Sequence, residues 1–293
     1  MVLLVLILRV RALGPIRLER PAELNIDRTI LYGPNAAGKS FIIRALAYLL
    51  SSEGVRDNLV FEVRSVGSYA RLFGYADVEL CEGNNCAKLV SDAINFKVEE
   101  AVWSRRYSVS RIFGDCMYSN VVPGRCIDVV HEIESLRTVP SYGTPPTNML
   151  IEKIERFLHD YYTELDIERF YGDYFREFDD GKHEWRDIAL LPYGIKKAIA
   201  TIYALESHDV VLIEGFESAL HLDLMKALLD FINDVYKDKV IVIETHNGLL
   251  LRWGIAKGWS IYYVQRNNIA RLSKLEDLTN IELFKKELEV LSL

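Results

Sequence analysis

Apolar and polar positions follow two different patterns along this chain, and the change between them divides the sequence. Residues 3–11 and 28–32 form short, mostly apolar runs that predict buried β-strands, and residues 40–51 follow with helical spacing and little polar face. From residue 194 onward, helical and strand-like segments alternate three times, which is typical of parallel βαβ crossovers. The two ends of the chain therefore predict one α/β unit.

The middle of the chain predicts a different architecture. Between about residues 55 and 125, short β-like runs alternate with turns that contain Gly or Asn, and this pattern predicts an antiparallel sheet. Helical spacing returns over residues 150–161. A turn at residues 179–182 then predicts a hairpin between residues 174–178 and 185–191. We therefore expect an inserted region that is β-rich at first and mixed α and β afterwards.

The composition is that of a folded, globular protein. Half of the 293 residues are hydrophobic and 26% are charged, which excludes a disordered or low-complexity chain. The net charge is −7, from 35 basic and 42 acidic side chains, so we expect no chain-wide basic surface for nucleic acid. No apolar run approaches the roughly 20 residues that span a bilayer, so we expect a cytoplasmic protein with no membrane partner. The single glutamine, Gln265, fits a heat-adapted, thermophile source.

The oxidation state of the four cysteines has three interpretations. Cys81 and Cys86 flank residues 82–85, which are typical of a hairpin turn, so the two side chains can form a cross-strand disulfide. Heat-adapted intracellular proteins do use disulfides, whereas an ordinary cytosol would leave two unpaired buried thiols. Zinc is the least favoured interpretation, because the gaps to Cys116 and Cys126 lack the tight spacing of structural zinc sites.

Candidate chemistry begins where the second predicted strand ends. The next segment fits the pattern G-x-x-x-x-G-K-S/T and consists of Gly33, Pro34, Asn35, Ala36, Ala37, Gly38, Lys39 and Ser40. Glycines let such a loop wrap its amide groups around phosphates, and the following helix presents its positive end to the same anion. We therefore expect Lys39 to reach the β- and γ-phosphates of a nucleotide and the Ser40 hydroxyl to hold Mg²⁺.

A second candidate is the carboxylate at the end of residues 210–214. Four apolar residues followed by Glu214 predict a central parallel strand with an acid at its carboxyl end, where ligands bind in open α/β sheets. A carboxylate in this place can hold Mg²⁺ directly or through water. Alone, the segment could equally be a core strand that ends in Glu, and the upstream phosphate loop favours the metal site.

Four segments together resemble the ABC-type ATPases. They are the phosphate loop, similar to G-P-N-G-A-G-K-S, a signature-like segment, a Walker B and D-loop segment, and a final strand with a switch histidine, at residues 33–40, 191–197, 214–221 and 241–246. The match is to the soluble branch, which contains chromosome-maintenance and DNA-repair ATPases and stand-alone ATPases related to phage-defence nucleases. The resemblance implies a P-loop NTPase fold of class α/β, with a mostly parallel core sheet, an N-terminal antiparallel β lobe and an inserted α+β arm.

The positions of these segments predict the domain organisation. They run from Gly33 to His246, so no single cut yields two sequential domains. We expect one ATPase domain over residues 1–293, with 1–54 and 186–293 as the nucleotide-binding core and 55–185 as an inserted β-rich and helical lobe.

The resemblance also implies roles for individual residues. Lys39 and Ser40 would bind the phosphates and Mg²⁺ of ATP, and Glu214 stands where the family has its Mg²⁺-binding Asp. His246 would sense the γ-phosphate.

The signature-like segment implies an assembly. Tyr193 and Gly194 would reach the γ-phosphate of a second subunit, because these ATPases hold two ATP molecules between two heads. An ATP-dependent homodimer is therefore implied, together with a nuclease or another protein partner, in DNA repair or defence.

The chain departs from the family at several positions. Gly215 stands where the catalytic Glu would be, and Glu217 is the nearest substitute that could polarise water. Pro192 replaces the signature serine and offers neither a hydroxyl nor an N–H group to a phosphate. No Gln lies between the phosphate loop and the signature-like segment, and Ser119 or Asn120 is the candidate substitute.

Two functions remain open after these matches and departures. The first is a Mg²⁺-dependent ATPase whose catalytic residues are Glu217, His246 and Glu214. The second is a nucleotide-gated binding module with little turnover, since Gly215 removes a general base and such bases contribute about 10²- to 10⁴-fold. The inserted sheet argues against a small-molecule kinase.

The inserted arm offers one candidate surface for nucleic acid. Arg105, Arg106 and Arg111 are interleaved with the aromatic residues Trp103 and Tyr107, an arrangement that can bind single-stranded DNA or RNA. A solvated strand face without a ligand is the simpler interpretation of the same residues.

Overall fold

The computed structural model describes residues 6–51, 73–92, 94–99, 101, 106–114, 116–120, 127–128, 147–171, 174–279, 281–282 and 284–286. These described residues form three β-sheets and six α-helices. In chain order the strands are β1 (Leu6–Leu13), β2 (Ile16–Ile26), β3 (Arg28–Tyr32), β4 (Tyr75–Glu82), β5 (Asn85–Asp92), β6 (Phe96–Glu99), β7 (Val109–Phe113), β8 (Cys116–Ser119), β9 (Ile127–Asp128), β10 (Ile167–Tyr171), β11 (Tyr174–Asp179), β12 (Lys182–Asp187), β13 (Val210–Glu214), β14 (Val240–Thr245), β15 (Ser260–Val264) and β16 (Ile269–Leu272). The helices are α1 (Lys39–Leu49), α2 (Thr147–Asp160), α3 (Tyr193–Ser207), α4 (Leu222–Val235), α5 (Leu249–Lys257) and α6 (Leu275–Thr279). Within the described residues, no helix is long and apolar enough to cross a membrane.

The central sheet has eight strands in the order β16-β15-β3-β14-β13-β7-β8-β9. Its five inner strands, from β15 to β7, are parallel, and antiparallel strands flank them at both edges. All residues of β13 and β14 are buried. Strands that are covered on both faces have to be apolar nearly throughout, which explains the continuous apolar runs in the sequence. The predicted α/β core with a mostly parallel sheet is confirmed.

Different elements cover the two faces of the central sheet. Val211 and Ile213 point into a core that also contains buried residues of α3, α4 and α5. Val210 and Leu212, on the opposite face, pack in a second core with α1 and with the sheet formed by β2, β1, β4, β5 and β6. Because α1 lies between two sheets, nearly all of its residues are buried.

The five-stranded antiparallel sheet contains the start of the described chain. β1 pairs with β2 on one side and with β4 on the other, and it buries Leu6, Leu8 and Val10. The predicted N-terminal antiparallel β lobe is confirmed. The sequence pattern did not indicate β2, because charged residues and a proline interrupt its middle and its fully buried residues lie near its two ends.

Sheet membership does not follow the domain boundaries predicted from the sequence. β1 and β2, from the predicted core, share a sheet with β4, β5 and β6 from the predicted inserted lobe. β7 and β8, also from residues 55–185, lie in the central sheet, where β7 pairs in parallel with β13. The burial of residues 109–112 explains this position, since it suits a central strand better than a solvated arm.

A three-stranded antiparallel sheet of β10, β11 and β12 follows α2 in the chain. α2 packs on the central core through Leu150, Ile154 and Phe157, at the helical spacing that predicted it. The hairpin predicted at residues 179–182 is confirmed, with β11 and β12 on its two sides.

The β4–β5 hairpin carries a disulfide between Cys81 and Cys86, whose Cα atoms lie 4.1 Å apart at directly opposite positions. The predicted cross-strand bridge is confirmed, and for these two residues the alternatives of free thiols and zinc ligands are wrong. Cys116 is also disulfide-bonded, so none of the cysteines in the described ranges has a free thiol.

Candidate functional site

The phosphate-loop segment lies between the end of β3 and the start of α1, at the edge of the sheet where the parallel strands end. Gly33 has φ +156°, and a Cβ atom there would collide with the carbonyl oxygen of Val264. Gly38 is the N-cap of α1. The loop is therefore held in front of a helix N-terminus, where backbone N–H groups favour a bound anion.

Ala36 has a backbone conformation that residues with a side chain seldom adopt, with φ +57°. It stands at the position where the pattern G-P-N-G-A-G-K-S has its second glycine. The left-handed conformation costs a residue other than glycine roughly 1 to 2 kcal/mol. The loop therefore carries local strain between Asn35 and Ala37.

Lys39 is 2% exposed, and its ammonium group is directed toward the loop. Nζ donates hydrogen bonds to the carbonyl oxygens of Gly33 at 2.9 Å and Pro34 at 3.0 Å. The Nδ1 atom of His246 lies 3.3 Å from Nζ, and the carboxylate of Glu244 lies 3.9 Å from it. Burial lowers the pKa of Lys39, while the charge of Glu244 acts in the opposite direction. The predicted phosphate-binding lysine and the predicted switch histidine are thus side by side.

Ser40 contacts a carboxylate that the sequence did not single out. Its Oγ donates to Glu244, at 2.9 Å from Oε2 and 3.0 Å from Oε1. Burial raises the pKa of Glu244, as does the charge of Glu214, whereas Lys39 lowers it. An acid at the end of an otherwise apolar strand, two residues before His246, was the available signal for this residue.

Glu214, the predicted metal ligand, is buried at the end of β13 between two arginines. Its Oε1 lies 2.9 Å from Nε of Arg111, and its Oε2 lies 3.7 Å from Nη2 of Arg44. Burial raises the pKa of Glu214, and the two guanidinium groups act against this shift. Arg111 comes from β7 and Arg44 from α1, so both partners are distant in the sequence.

Glu217, the predicted general base, accepts hydrogen bonds on both carboxylate oxygens. Oε2 accepts from Oγ1 of Thr245 at 2.8 Å, and Oε1 accepts from the backbone N–H of His246 at 2.7 Å. These bonds connect the loop after β13 with the end of β14. In this arrangement Glu217 positions the main chain of the switch histidine.

Lys197 is a buried lysine of α3 that the sequence pattern did not single out. Its Nζ donates to the carbonyl oxygens of Gly215, Phe216 and Ser218 and to the Ser218 hydroxyl, over 2.7 to 3.0 Å. Burial lowers the pKa of Lys197 to about 8. A buried charge on the inner face of an apolar helix requires hydrogen-bond partners, so a lysine at this helical position was the available signal for Lys197. Lys197 therefore anchors the segment 215–218.

The signature-like residues lie at the N-terminus of α3. Tyr193 is 47% exposed. A Cβ atom on Gly194 would lie 2.8 Å from the carbonyl oxygen of Ala219 and 2.9 Å from Leu224, so α3 approaches the loop after β13 too closely for a side chain. Within one chain, the structure does not bring these two residues to the phosphate loop.

A cavity of about 670 Å³ opens in front of the phosphate loop. This volume lies within the range of about 300 to 1,000 Å³ that is typical of small-molecule and cofactor sites. Its lining comes from the loop, the first turns of α1, the end of β14 and the β1–β2 turn, and includes Gly14, Pro15, Asn35, Ala36, Gly38, Lys39, Ser40, Phe41, Arg44, Gly74, Glu244, His246 and Arg266. Glu214 and Glu217 do not line it.

Arg111 does not belong to the candidate nucleic-acid surface on the inserted arm. Arg111 is 6% exposed and pairs with a buried carboxylate, so it is unavailable to a ligand at the surface. Arg106 and Tyr107 both contact Glu82, at 3.3 Å and 3.1 Å. Outside the described residues lie the remaining members of the cluster, Trp103 and Arg105.

The candidate substitutes for the missing glutamine are engaged elsewhere. Ser119 Oγ lies 2.6 Å from Nε2 of His208, whose pKa burial lowers to about 4. Asn120 accepts from the backbone N–H of Val109 at 2.7 Å and donates to the carbonyl oxygen of Tyr107 at 2.9 Å. Neither side chain lines the cavity, because both stabilise the ends of β7 and α3.

Comparison with known proteins extends these observations. Residues 130–252 match the family model described as "AAA domain, putative AbiEii toxin, Type IV TA system". No curated protein matches the chain. Among solved structures, the chain is similar to the SMC head domain from Thermotoga maritima, with a TM-score of 0.50, 15% identity, and coverage of 92% of this chain and 98% of that one.

Two further solved structures give a similar result. One is an SMC head bound to the C-winged helix domain of ScpA, with a TM-score of 0.52, 11% identity, and coverage of 94% and 99% of the two chains. The other is an ATP-binding cassette of an ABC transporter in its ADP conformation, with a TM-score of 0.52, 13% identity, and coverage of 98% and 99%. At these identities the likeness establishes the fold. The chain therefore has the P-loop fold of an ABC/SMC-type ATPase head, with parallel inner strands and an antiparallel β lobe.

Proposed function

We propose that this chain binds ATP with Mg²⁺ in the cavity at the phosphate loop and hydrolyses it slowly. The observation that carries the proposal is the convergence of Lys39, Ser40 and His246 on one cavity, in front of the N-terminus of α1. The fold supports the same function, because three of its features, the loop, the strand order and the switch histidine, coincide in ATPase heads.

The groups around the cavity suit a triphosphate. Loop amides and the N-terminus of α1 favour an anion through their N–H groups and partial positive charge. Lys39 donates to two neutral carbonyl oxygens, and a phosphate would replace them with charged acceptors, which form stronger hydrogen bonds. The phosphate charge would also offset the desolvation that lowers the pKa of Lys39.

The oxygen donors beside the loop suit Mg²⁺. The ion prefers hard oxygen ligands, and the Ser40 hydroxyl lies beside the carboxylate of Glu244, with Glu214 at the end of the next strand. When bound, Mg²⁺ would neutralise charge on the β- and γ-phosphates. Ser40 and Glu214 are the ligands that the sequence predicts, and Glu244 is a competing candidate because of its contact with Ser40.

Hydrolysis requires a group that polarises the attacking water. Gly215 has no side chain, and both oxygens of Glu217 are bonded to Thr245 and His246. For Glu217 to act as the general base, a water must reach one of the lone pairs that these two bonds leave free, while the bonds hold the carboxylate toward Thr245 and His246. This requirement is the reason we expect slow turnover.

The same bonds favour a second candidate, a nucleotide-gated binding module. If Glu217 stays turned toward both partners and no water reaches its remaining lone pairs when ATP is bound, it cannot activate water. ATP would then act as a ligand that controls assembly.

An ATP-dependent homodimer follows from the position of the signature-like residues. Tyr193 and Gly194 lie away from the cavity of their own chain, so they could serve only the nucleotide of a second copy. Leu190, close to them in the chain, is 68% exposed and offers an apolar contact. The SMC head bound to the C-winged helix domain of ScpA is a precedent for a protein partner. We extend the proposal to such a partner, a nuclease being one candidate, in DNA repair or defence.

Single-turnover hydrolysis, with protein in excess over ATP, tests the ATPase. Wild type should exceed Lys39→Met, and Glu217→Gln should remove the excess. Lys226→Met is the matched control, since that lysine is exposed and pairs only with Asp230 on its own helix in the contacts described. Equal rates for wild type and Lys39→Met would leave only the binding module.

Mass in solution tests the assembly. The mass should double when ATP and Mg²⁺ are added, and Glu217→Gln should prolong the doubled state. A monomer at saturating ATP would contradict the homodimer.

A further inference from the structure

We propose that Glu244, and not Glu214, is the carboxylate that holds Mg²⁺ together with Ser40. This inference rests on the proposed function, because it concerns the ion that accompanies the nucleotide. It replaces the metal ligand expected from the sequence motif with a residue from the neighbouring strand.

The first argument is the contact between Ser40 and Glu244. The hydroxyl lies within 3.0 Å of both carboxylate oxygens, so one small ion could meet the hydroxyl and the carboxylate at once. Glu244 also lines the cavity, whereas Glu214 does not. An ion that bridges to phosphate oxygens has to lie in the cavity, and only one of the two carboxylates is there.

The second argument is the order of the strands. β14 is the direct neighbour of β3, and Glu244 is level with Leu31, shortly before the phosphate loop. β13 lies one strand further away. Neighbouring strands are about 4.8 Å apart, so a carboxylate at the end of β13 begins one strand spacing further from the loop.

The third argument is that Glu214 already pairs with two arginines, one of them buried. Arg111 and Arg44 lie 2.9 Å and 3.7 Å from its two oxygens, and Arg111 is 6% exposed. If Glu214 turned to a metal ion, it would break a 2.9 Å ion pair with the buried guanidinium group of Arg111, which costs free energy. Glu214 is therefore a structural partner of the two arginines.

The test compares Glu244→Gln with Glu214→Gln, which remove the same charge and keep the same shape. The probe is a fluorescent, non-hydrolysable ATP analogue, titrated once with Mg²⁺ and once with EDTA. The quantity of interest is the dissociation constant in EDTA divided by the dissociation constant in Mg²⁺. This ratio measures how strongly Mg²⁺ increases the affinity for the nucleotide. It does not depend on turnover.

Glu244→Gln should lower this ratio by at least about tenfold and leave the affinity in EDTA unchanged or higher, because a negative charge near the phosphates is removed. Glu214→Gln should leave the ratio within about threefold of wild type, although its melting temperature should fall. If Glu214→Gln does not fold, the double variant Glu214→Gln/Arg111→Gln, which also removes the paired buried charge, takes its place. An unchanged ratio in Glu244→Gln, or an equal loss in both variants, would overturn the proposal.

The same titration separates this inference from the proposed function. If wild type and Lys39→Met bind the analogue equally, the nucleotide site itself is refuted. If binding depends on Lys39 but the ratio survives Glu244→Gln, only the assignment of Glu244 is refuted.

Discussion

β13 and β14 lie next to each other in the central sheet, but the polar groups at their ends have opposite surroundings. At the end of β14, Glu244 and His246 face a cavity together with Lys39. At the end of β13, Glu214 is neutralised by two arginines, and the following segment is held by Lys197. One strand end therefore faces a cavity that a ligand can enter, whereas the carboxylate at the other is already paired with positive charges of the protein.

Two buried lysines differ in the same way, one beside the cavity and one away from it. Lys39 and Lys197 are 2% and 1% exposed, and burial lowers the pKa of each. The acceptors of Lys39 belong to a loop beside a cavity, so water or phosphate can replace the lysine. The acceptors of Lys197 belong to the segment 215–218, which does not line the cavity, so a bound phosphate there cannot replace them. Replacing each lysine by methionine should therefore have different consequences.

Lys197→Met should have the largest effect on stability, lowering the free energy of unfolding by about 4 kcal/mol. Three carbonyl oxygens and a hydroxyl lose their common donor; the bond to Phe216 is buried and the other three are partly buried, and an unsatisfied buried group costs about 1 to 3 kcal/mol before relaxation. Denaturant unfolding measures the change. The control is Lys196→Met, whose lysine donates to Ala189 at an exposed position and should matter by less than about 0.5 kcal/mol. Equal results for the two variants would contradict the anchoring role.

The pH dependence of stability should also reflect the protonation of Lys197. Its pKa is about 8 in the folded protein against an ordinary value of 10.5, so between these values the unfolded chain binds more protons. Stability relative to Lys197→Met should therefore rise as the pH increases from about 8 to about 10.5, by up to about 3 kcal/mol. Unfolding of both proteins across this range measures the difference, and a constant difference would show that the pKa is not lowered.

Lys39→Met should reduce the affinity for ATP by at least about 100-fold, or about 2.7 kcal/mol, because charged hydrogen bonds to the phosphates are lost. Its free energy of unfolding should change by less than about 1 kcal/mol, since its acceptors border the cavity. Calorimetric titration and denaturant unfolding measure the two quantities. A large loss of stability without a loss of affinity would reverse the comparison between the two lysines.

The double variant Cys81→Ser/Cys86→Ser should lower the free energy of unfolding by about 2 kcal/mol, the loop-entropy value for a closure of this length. The affinity for ATP should stay the same, because neither cysteine lines the cavity. Adding a reductant should not lower the stability of the β4–β5 hairpin in this variant, because the disulfide of that hairpin has been removed. A fall in affinity would mean that the antiparallel sheet controls the nucleotide site.

Ala36→Gly should have the smallest effect, an increase of about 0.5 kcal/mol in the free energy of unfolding. Relief of the left-handed backbone is partly cancelled by the greater freedom of glycine in the unfolded chain. Ala37→Gly is the matched control, since Ala37 is buried and is not among the residues with positive φ, and it should lose stability. Thermal unfolding compares the two variants. A loss of stability in both would show that the backbone of Ala36 is not strained.

Features set by short stretches of sequence could be predicted. The loop from Gly33 to Ser40, the apolar strand before Glu214 and the turn between Cys81 and Cys86 all depend on neighbouring residues. Their periodicity and turn chemistry are visible without knowledge of the rest of the chain.

Features set by the order of strands could not be predicted. The contact of Ser40 with Glu244 exists because β14 was inserted beside β3, and the pairing of Glu214 with Arg111 exists because β7 joined the central sheet. No spacing in the sequence specifies these neighbours. A motif can therefore identify the acid at the end of β13 without showing which strand faces the ligand.

The bonds between the two strand ends also govern how fast the site opens to solvent. The backbone N–H of His246 donates a hydrogen bond to Glu217, and the backbone N–H of Phe216 donates one to the carbonyl oxygen of Glu244. Neither can exchange with deuterium until the loop after β13 separates from β14, so both should exchange at one common rate. That rate measures how often the main chain of His246 is released from Glu217.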